Sequence, residues 1–468
     1  MRGRQFVGRT IRHRLTLKLY RTAVPRSRHR SAGSAHAAPP HGAPPRAATP
    51  RALWYRRLPW TPIAITLLLL LAAAFAVSPI RDAATFDPVA EASLAFSPGY
   101  LAIAPISDVL DTLTLLTVGQ HIALILWAIG VFVVIRVMRA RSGGTTARRE
   151  IAAGGLFLVG LLATYAVAAL VPRPMAQLSV SDATVLSVDF HAHTKYSHDG
   201  RAGWSEEDVR NWHRAAGYDA AYITDHRTLD GAERGIASNP PLAGEGTMLL
   251  QGLEAFFNGE HVNVLSAGRR FKGITTADLK DVDPQALMLA SLIPNAAPVV
   301  IETMPGNLNK VPALSEKGVP GATAIEVVDG SPRGLSQTRA ARARILHIAD
   351  SLSLALVTGS DNHGWGRTAP GWTLLRIPGW RGMPTDSLSG AIENVLRRGR
   401  RDATRPVERV VAGGSDPISL ALAGPLVTWR MLTTLGADER VMWLVWTWGL
   451  LMLARGLRAY RIRPSSTT

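Results

Sequence analysis

The sequence predicts an α/β domain built on a parallel sheet and flanked by transmembrane helices. Three observations lead there. Short apolar strands alternate with helices between residues 184 and 405. Three uncharged runs of at least 22 residues precede that segment. The positive charge is gathered beside the apolar runs.

The 468 residues are 47% apolar and include no cysteine, which allows two or three domains. Without cysteine there is no disulfide scaffold, no cysteine zinc site and no cysteine nucleophile. Of the net charge of +17, residues 1–60 carry +14, segment 136–150 carries +4 and tail 455–468 carries +4, leaving the remainder at −5. A nucleic-acid binder needs its basic residues on a folded face. Here they adjoin apolar runs, so the expected partner is the lipid bilayer and nucleic acid is set aside.

Residues 1–57, rich in Arg, Ala and Pro, are predicted to be a basic disordered arm. A membrane region follows over 58–173, with spans at 58–80, 112–135 and 151–172, each able to cross a hydrocarbon core of about 30 Å. Ala74-Phe75-Ala76 resembles a signal-peptidase site, but the long region before it favours a retained anchor. The arm at +14, loop 81–118 at −4 and loop 136–150 at +4 place the N-terminus and the second loop in the cytoplasm. The segment after Pro172 is then extracytoplasmic. A C-terminal membrane-associated segment, 410–468, is expected to return through a span at about 438–457, its uncharged stretch Val441–Ala454 lengthened by snorkelling Arg440 and Arg455. The expectation is an integral protein of the inner, cytoplasmic membrane.

Within 184–405 the predicted strands are Thr184–Phe190, Ala220–Thr224, Met248–Glu254, His261–Ser266, Pro298–Thr303, Ala322–Val328, Leu354–Thr358 and Trp372–Ile377. Predicted helices cover 205–216, opened by Ser205-Glu206-Glu207, and 284–292, 336–351 and 386–399. In parallel α/β folds the C-terminal strand ends converge on the active site. His191 and His193, two apart on one strand, can grip an ion together. His198-Asp199, Asp225-His226, Glu254 and Asp361-Asn362-His363 also fall at or beyond strand ends, whereas His261 starts a strand. Imidazole and carboxylate suit Zn, Mn or Fe, and a shared carboxylate can bridge two ions. Arg227 and Arg367 adjoin these motifs, and guanidinium suits phosphate. Lys310 and Glu326 are weaker candidates, and His213 and His347 are expected to be structural.

His191-x-His193-Thr194, Thr224-Asp225-His226, Gly252-Leu253-Glu254 with His261, and Ser360-Asp361-Asn362-His363 together resemble the four motifs of the PHP (polymerase and histidinol phosphatase) superfamily. The likeness covers about 184–370. It implies a distorted (β/α)7 barrel, a site for two or three divalent ions and phosphoesterase activity on a phosphorylated substrate. It further implies that His191, His193, Glu254 and Asp361 hold the first ion, and that Glu254 bridges to a second ion with His261. His226 and His363, with His198 or Asp199, would hold the third. Any of His226, His363, Arg227 and Arg367 not occupied by metal would act on the substrate. One departure stands out in Val300-Ile301-Glu302-Thr303-Met304-Pro305-Gly306, where Met304 occupies the place of a family histidine. A thioether is a poor ligand for these ions. The second ion is therefore expected to be weakly held, with Glu302 as its substitute ligand if the strand lets it reach. The rival readings are a degenerate metal-binding or ligand-sensing module and a metal-dependent hydrolase of non-phosphate bonds.

Overall fold

Only two residues separate the sixth and seventh strands, too few for a crossover, so the chain must turn back there as a hairpin. That turn breaks the parallel sheet expected from the sequence. The computed structural model describes residues 59–462 except 144, 258–259, 266–298, 305, 310–321, 412–413 and 415. The basic arm, the predicted helix 284–292, Pro305 and Lys310 lie outside the described residues.

The strands are β1 Ile80–Asp82, β2 Ala92–Phe96, β3 Ala176–Val180, β4 Val185–Ala192, β5 Ala220–Ile223, β6 Met248–Phe257, β7 Glu260–Leu265, β8 Val299–Glu302, β9 Ala324–Asp329, β10 Ala355–Gly359, β11 Gly371–Arg376 and β12 Arg405–Arg409. Ten of them form one sheet in the order β1-β12-β11-β4-β5-β6-β7-β8-β9-β10, while β2 pairs with β3. β4, β5 and β6 run parallel, as do β8, β9 and β10, and β7 is antiparallel to both neighbours. The sheet curls until the chain leaving β10 meets β4: Asp361 N–H donates to His191 O (2.9 Å) and His193 N–H donates to Asn362 O (3.1 Å). The result is a mixed α/β fold around a curled half-barrel sheet. Leu186, Val188, Phe190, Tyr222, Leu250, Ile301 and Val357 fill its inside, together with Leu388 and Ile392 from the helix Thr385–Arg397.

Four strands are absent from the sequence expectation: β1, β2, β3 and β12. Each is three to five residues long, and such strands are stabilised by pairing and burial rather than by a local pattern. Because β1 pairs with β12, the segment expected to be a plain loop at 81–118 belongs to the folded domain. It also contains α2 Pro98–Ala102 and α3 Ala104–Thr114.

Helix α1, Trp60–Ala74, has 15 residues, about 22 Å at 1.5 Å per residue, shorter than the span expected over 58–80. Helices α4, Val118–Arg141, and α5, Ala147–Leu170, are long and apolar enough to cross a membrane. α4 starts six residues beyond the expected 112 because Thr112–Thr114 complete α3 and Thr117 forms a capping box with Gln120. A further helix, Ala437–Ile462, covers the expected C-terminal span. α1 leads into β1, α4 leaves from α3, α5 leads into β3, and Trp443 in the Ala437–Ile462 helix donates to Asp108 (2.7 Å). The folded domain thus lies at one end of all four helices. Arg139, Arg141, Arg148 and Arg149 lie at the other, where Arg136 pairs with Glu150 at 2.6 Å.

Candidate metal centre

Plain strand alternation would align His191 and His193 with Asp189. That residue points outward, its Oδ2 2.7 Å from His213 Nε2 on α6, Glu206–Ala216. The β4–β5 register slips instead: Val188 and Asp189 oppose Ala220 and Ala221, but Ala192 opposes Ile223. The extra residue forms a bulge, so Phe190 and His191 follow one another toward the inside and both imidazoles face the cavity. Asp189 stabilises this arrangement, its Oδ1 accepting from the backbone N–H of His191 (3.1 Å) and of Ser360 (2.9 Å). Glycine is required at 359, because a Cβ there would lie 2.4 Å from Glu326 Oε1 and 2.7 Å from the His191 Cβ. Asp361 sits in the left-handed region, φ 47°, a strained conformation for a non-glycine residue that its bond to His191 O holds in place.

The antiparallel course of β7 explains His261. The start of β7 lies beside the end of β6, so His261 Nδ1 comes within 2.5 Å of Glu254 Oε1. The other Glu254 oxygen is central, 3.1 Å from His191 Nε2, 3.2 Å from His193 Nε2 and 3.3 Å from His226 Nε2. Asp361 Oδ1 lies 3.3 Å from His191 and 3.2 Å from His193. Asp199 Oδ2 lies 3.4 Å from His226 and 3.1 Å from His363. Among the described residues four groups result whose ligand atoms fall within 4.8 Å of one another: His191, His193 and Asp361; His226, Glu254 and His261; His193, Asp199, His226 and His363; and, behind the first, His191, Glu326 and Asp329. Of the two alternatives near residue 198, Asp199 turns in, held by Ser197 Oγ at 2.7 Å, while the His198 side chain is 75% exposed.

Burial opposes charge on His191 and His193, yet the surrounding carboxylates prevail. Glu326, Glu254 and Asp361 raise His191 well above the usual imidazole value, and Asp361 and Glu254 bring His193 to about 10. Despite burial, the same imidazoles depress Glu254 and Asp361. The cluster therefore calls for positive charge. Nε2 of His193 and Nε2 of His363 are buried without a well-aligned hydrogen-bond partner, and metal ligation would satisfy both. The donor set, imidazole nitrogen with carboxylate oxygen, fits borderline divalent ions such as Zn, Mn or Fe.

Glu326, a weak candidate in the sequence, accepts from His191 Nδ1 at 3.0 Å and so orients its Nε2 toward the cavity. Asp329, 3.8 Å from the same nitrogen, went unnoticed because no motif marks it. His213 is structural, in the pair with Asp189. His347 is exposed.

The expectation for Met304 and Glu302 needs correcting. β8 ends at Glu302, so Met304 lies beyond it, and Glu302 pairs with Val262 rather than His261, so it points to the opposite side from His261 and Glu254. Burial and the neighbouring Glu260 push its carboxyl up to about 8. Met304 packs among Ile325, Val327 and Leu356 outside the curl, its sulfur 3.2 Å from Gln337 Nε2. Neither can serve the second ion. His226 joins Glu254 and His261 there instead. Arg227, φ 53°, is exposed just after His226. Arg367 is half-buried, and its Nε donates to Arg173 O at 3.3 Å.

No protein-family model and no curated protein matches the chain. Among solved structures it is similar to PsfC from Pseudomonas syringae, at 16% identity and a TM-score of 0.32 over 53% of this chain and 96% of that one. It is also similar to a two-domain protein from Bacteroides vulgatus containing a predicted PHP-like metal-dependent phosphoesterase, at 16% identity and a TM-score of 0.30, covering 51% and 69%. An amidohydrolase from Chromobacterium violaceum with bound sulfate and no metal matches at 16% and 0.28, covering 42% and 89%. Similarity this distant leaves the reaction to be read from the chain's own residues.

Proposed function

We propose that the chain is a membrane-anchored, metal-dependent phosphoesterase. The observation that carries this reading is the central Glu254, whose two oxygens touch four imidazoles drawn from three separate segments of the fold. His191, His193, Asp361 and Glu254 would hold one ion. Glu254, His261 and His226 would hold a second, and Asp199 and His363 would hold a third with His193 or His226. Divalent ions bound there supply Lewis acidity and a water nucleophile of lowered pKa. Glu326 and Asp189 keep His191 aimed, and Asp361 and Glu254 stay ionised. Arg227 and Arg367 offset charge on the phosphoryl oxygens. His363 Nε2 protonates the leaving oxygen when it carries no ion. Adjoining ligand groups, two of them joined through Glu254, favour an enzyme over a degenerate module, because clustered buried carboxylates are costly to fold without a cation.

The test is a panel of phosphomonoesters, phosphodiesters and amides given to the full-length protein loaded with Mn or Zn. Hydrolysis of a phosphate ester is expected. Amide hydrolysis alone would shift the assignment to a non-phosphate hydrolase.

The anchoring follows from α4, α5 and the Ala437–Ile462 helix, whose arginine-bearing ends lie away from the metal centre. By the positive-inside rule those ends are cytoplasmic and the metal domain extracytoplasmic. Reporter fusions at residue 145 and after residue 410 should score oppositely. Cytoplasmic signals from both would reverse the orientation.

A further inference from the structure

The loop that carries His363 is fastened to the end of a membrane helix. Gly366 N–H donates to Ala169 O, at the last turn of α5, at 2.9 Å. Arg367 Nε reaches the Arg173 carbonyl, and Thr368 Oγ1 donates to Asp111 Oδ1 on α3 (2.9 Å). His363 is three residues from Gly366, so their Cα atoms are at most about 11 Å apart. The backbone of His363 therefore stands within about two helical turns' length of the residue bonded to the last turn of α5.

Just before these anchors the loop pushes one residue outward. Gly364 and Gly366 both have positive φ, 91° and 76°, and turn the chain on either side of Trp365, which is 53% exposed. Arg201 lies against it: its guanidinium carbon is 5.3 Å from the Trp204 ring and 5.7 Å from the Trp365 ring, and its backbone N–H donates to His363 O at 3.0 Å. Arg367 is the second cation. It is half-buried, and burial with Arg173 and Arg201 nearby lowers its pKa; Arg173 is already paired with Asp111 at 2.5 Å, which leaves Arg367 and Arg201 to meet an anion. Tryptophan flanked by arginine, level with the end of an apolar helix, is the composition of a lipid headgroup interface.

We propose that the metal centre draws its phosphate ester from the membrane surface, the substrate being a phospholipid headgroup received by Trp365, Arg201 and Arg367. This rests on the anchoring and hydrolase readings above. A free phosphate ester offers the same phosphoryl chemistry, and the experiment separates the two sources.

Two measurements on the full-length protein in nanodiscs test it. The chain has no cysteine, so Trp365→Cys accepts a single spin label, whose collision with oxygen and with a nickel chelate reports depth independently of activity or metal. The label is expected at headgroup depth, and a label in bulk water overturns the proposal. Matched pairs are then compared with Mn bound: phosphatidic acid against glycerol 3-phosphate, and phosphatidylglycerol against glycerophosphoglycerol. In at least one pair the lipid should be preferred in kcat/KM by about tenfold or more, the scale that two arginines at an anionic surface can supply. Equal or better hydrolysis of the soluble ester in both pairs overturns the proposal. A label at headgroup depth with no ester hydrolysed overturns the hydrolase reading and the substrate class with it, while the placement of the loop stands.

Discussion

Replacing His191 or His193 with alanine should strip the first ion and abolish hydrolysis, a loss of about 10³-fold or more if the ion both activates water and stabilises the phosphoryl charge. Each imidazole meets Glu254 and Asp361 within 3.3 Å, so either truncation leaves two buried carboxylates with one cationic partner fewer. Metal analysis and turnover should fall together while the circular dichroism spectrum persists, because Phe190 and Ala192 still pack the strand into the cores on its two sides. His198→Ala is the internal control. Its side chain is exposed, so metal content should not change. Undiminished metal in both His191→Ala and His193→Ala would remove the first site from the assignment.

Asp189→Ala is expected to damage the fold and the site at once. The wild-type carboxylate accepts from His213 Nε2 and from two backbone N–H groups that tie the β4 bulge to the β10 end. Alanine leaves all three donors buried and unpaired, which should cost about 3–5 kcal/mol and lower Tm by roughly 10 °C. Metal affinity should fall too, since the bulge aims His191. Asp189→Asn keeps an acceptor for the two backbone groups and should recover most of the stability. Wild-type Tm and metal content in Asp189→Ala would show that closure of the curl does not depend on this side chain.

Much of the centre was legible because its donors sit in short motifs at strand ends. His191-x-His193 and Asp361-Asn362-His363 are recognisable wherever the chain carries them, and Glu254 lies near the end of β6, where alternation alone aims it inward. Where reading failed, the cause was a one-residue shift in facing. Met304 lies beyond the end of β8, and which way Glu302 faces depends on its pairing with Val262. His261 looked misplaced until β7 proved antiparallel. The choice of Asp199 over His198 came from a turn in which Ser197 holds one side chain and leaves the other in solvent.

The sequence by itself determined the alternation of strands and helices, the identity of the imidazoles and carboxylates that cluster, the absence of cysteine chemistry and the apolar runs with their flanking arginines. These are properties of composition and local period, and they persist whatever the chain packs against. Only the tertiary structure decided the β4 bulge that turns His191 and His193 inward, the reversal of β7, the recruitment of segment 80–114 into the domain, and the bonds from Gly366 and Arg367 to the end of α5. Each depends on register or contact between segments far apart in the chain, where a shift of one residue moves a side chain to the opposite face and no local pattern records which shift is taken.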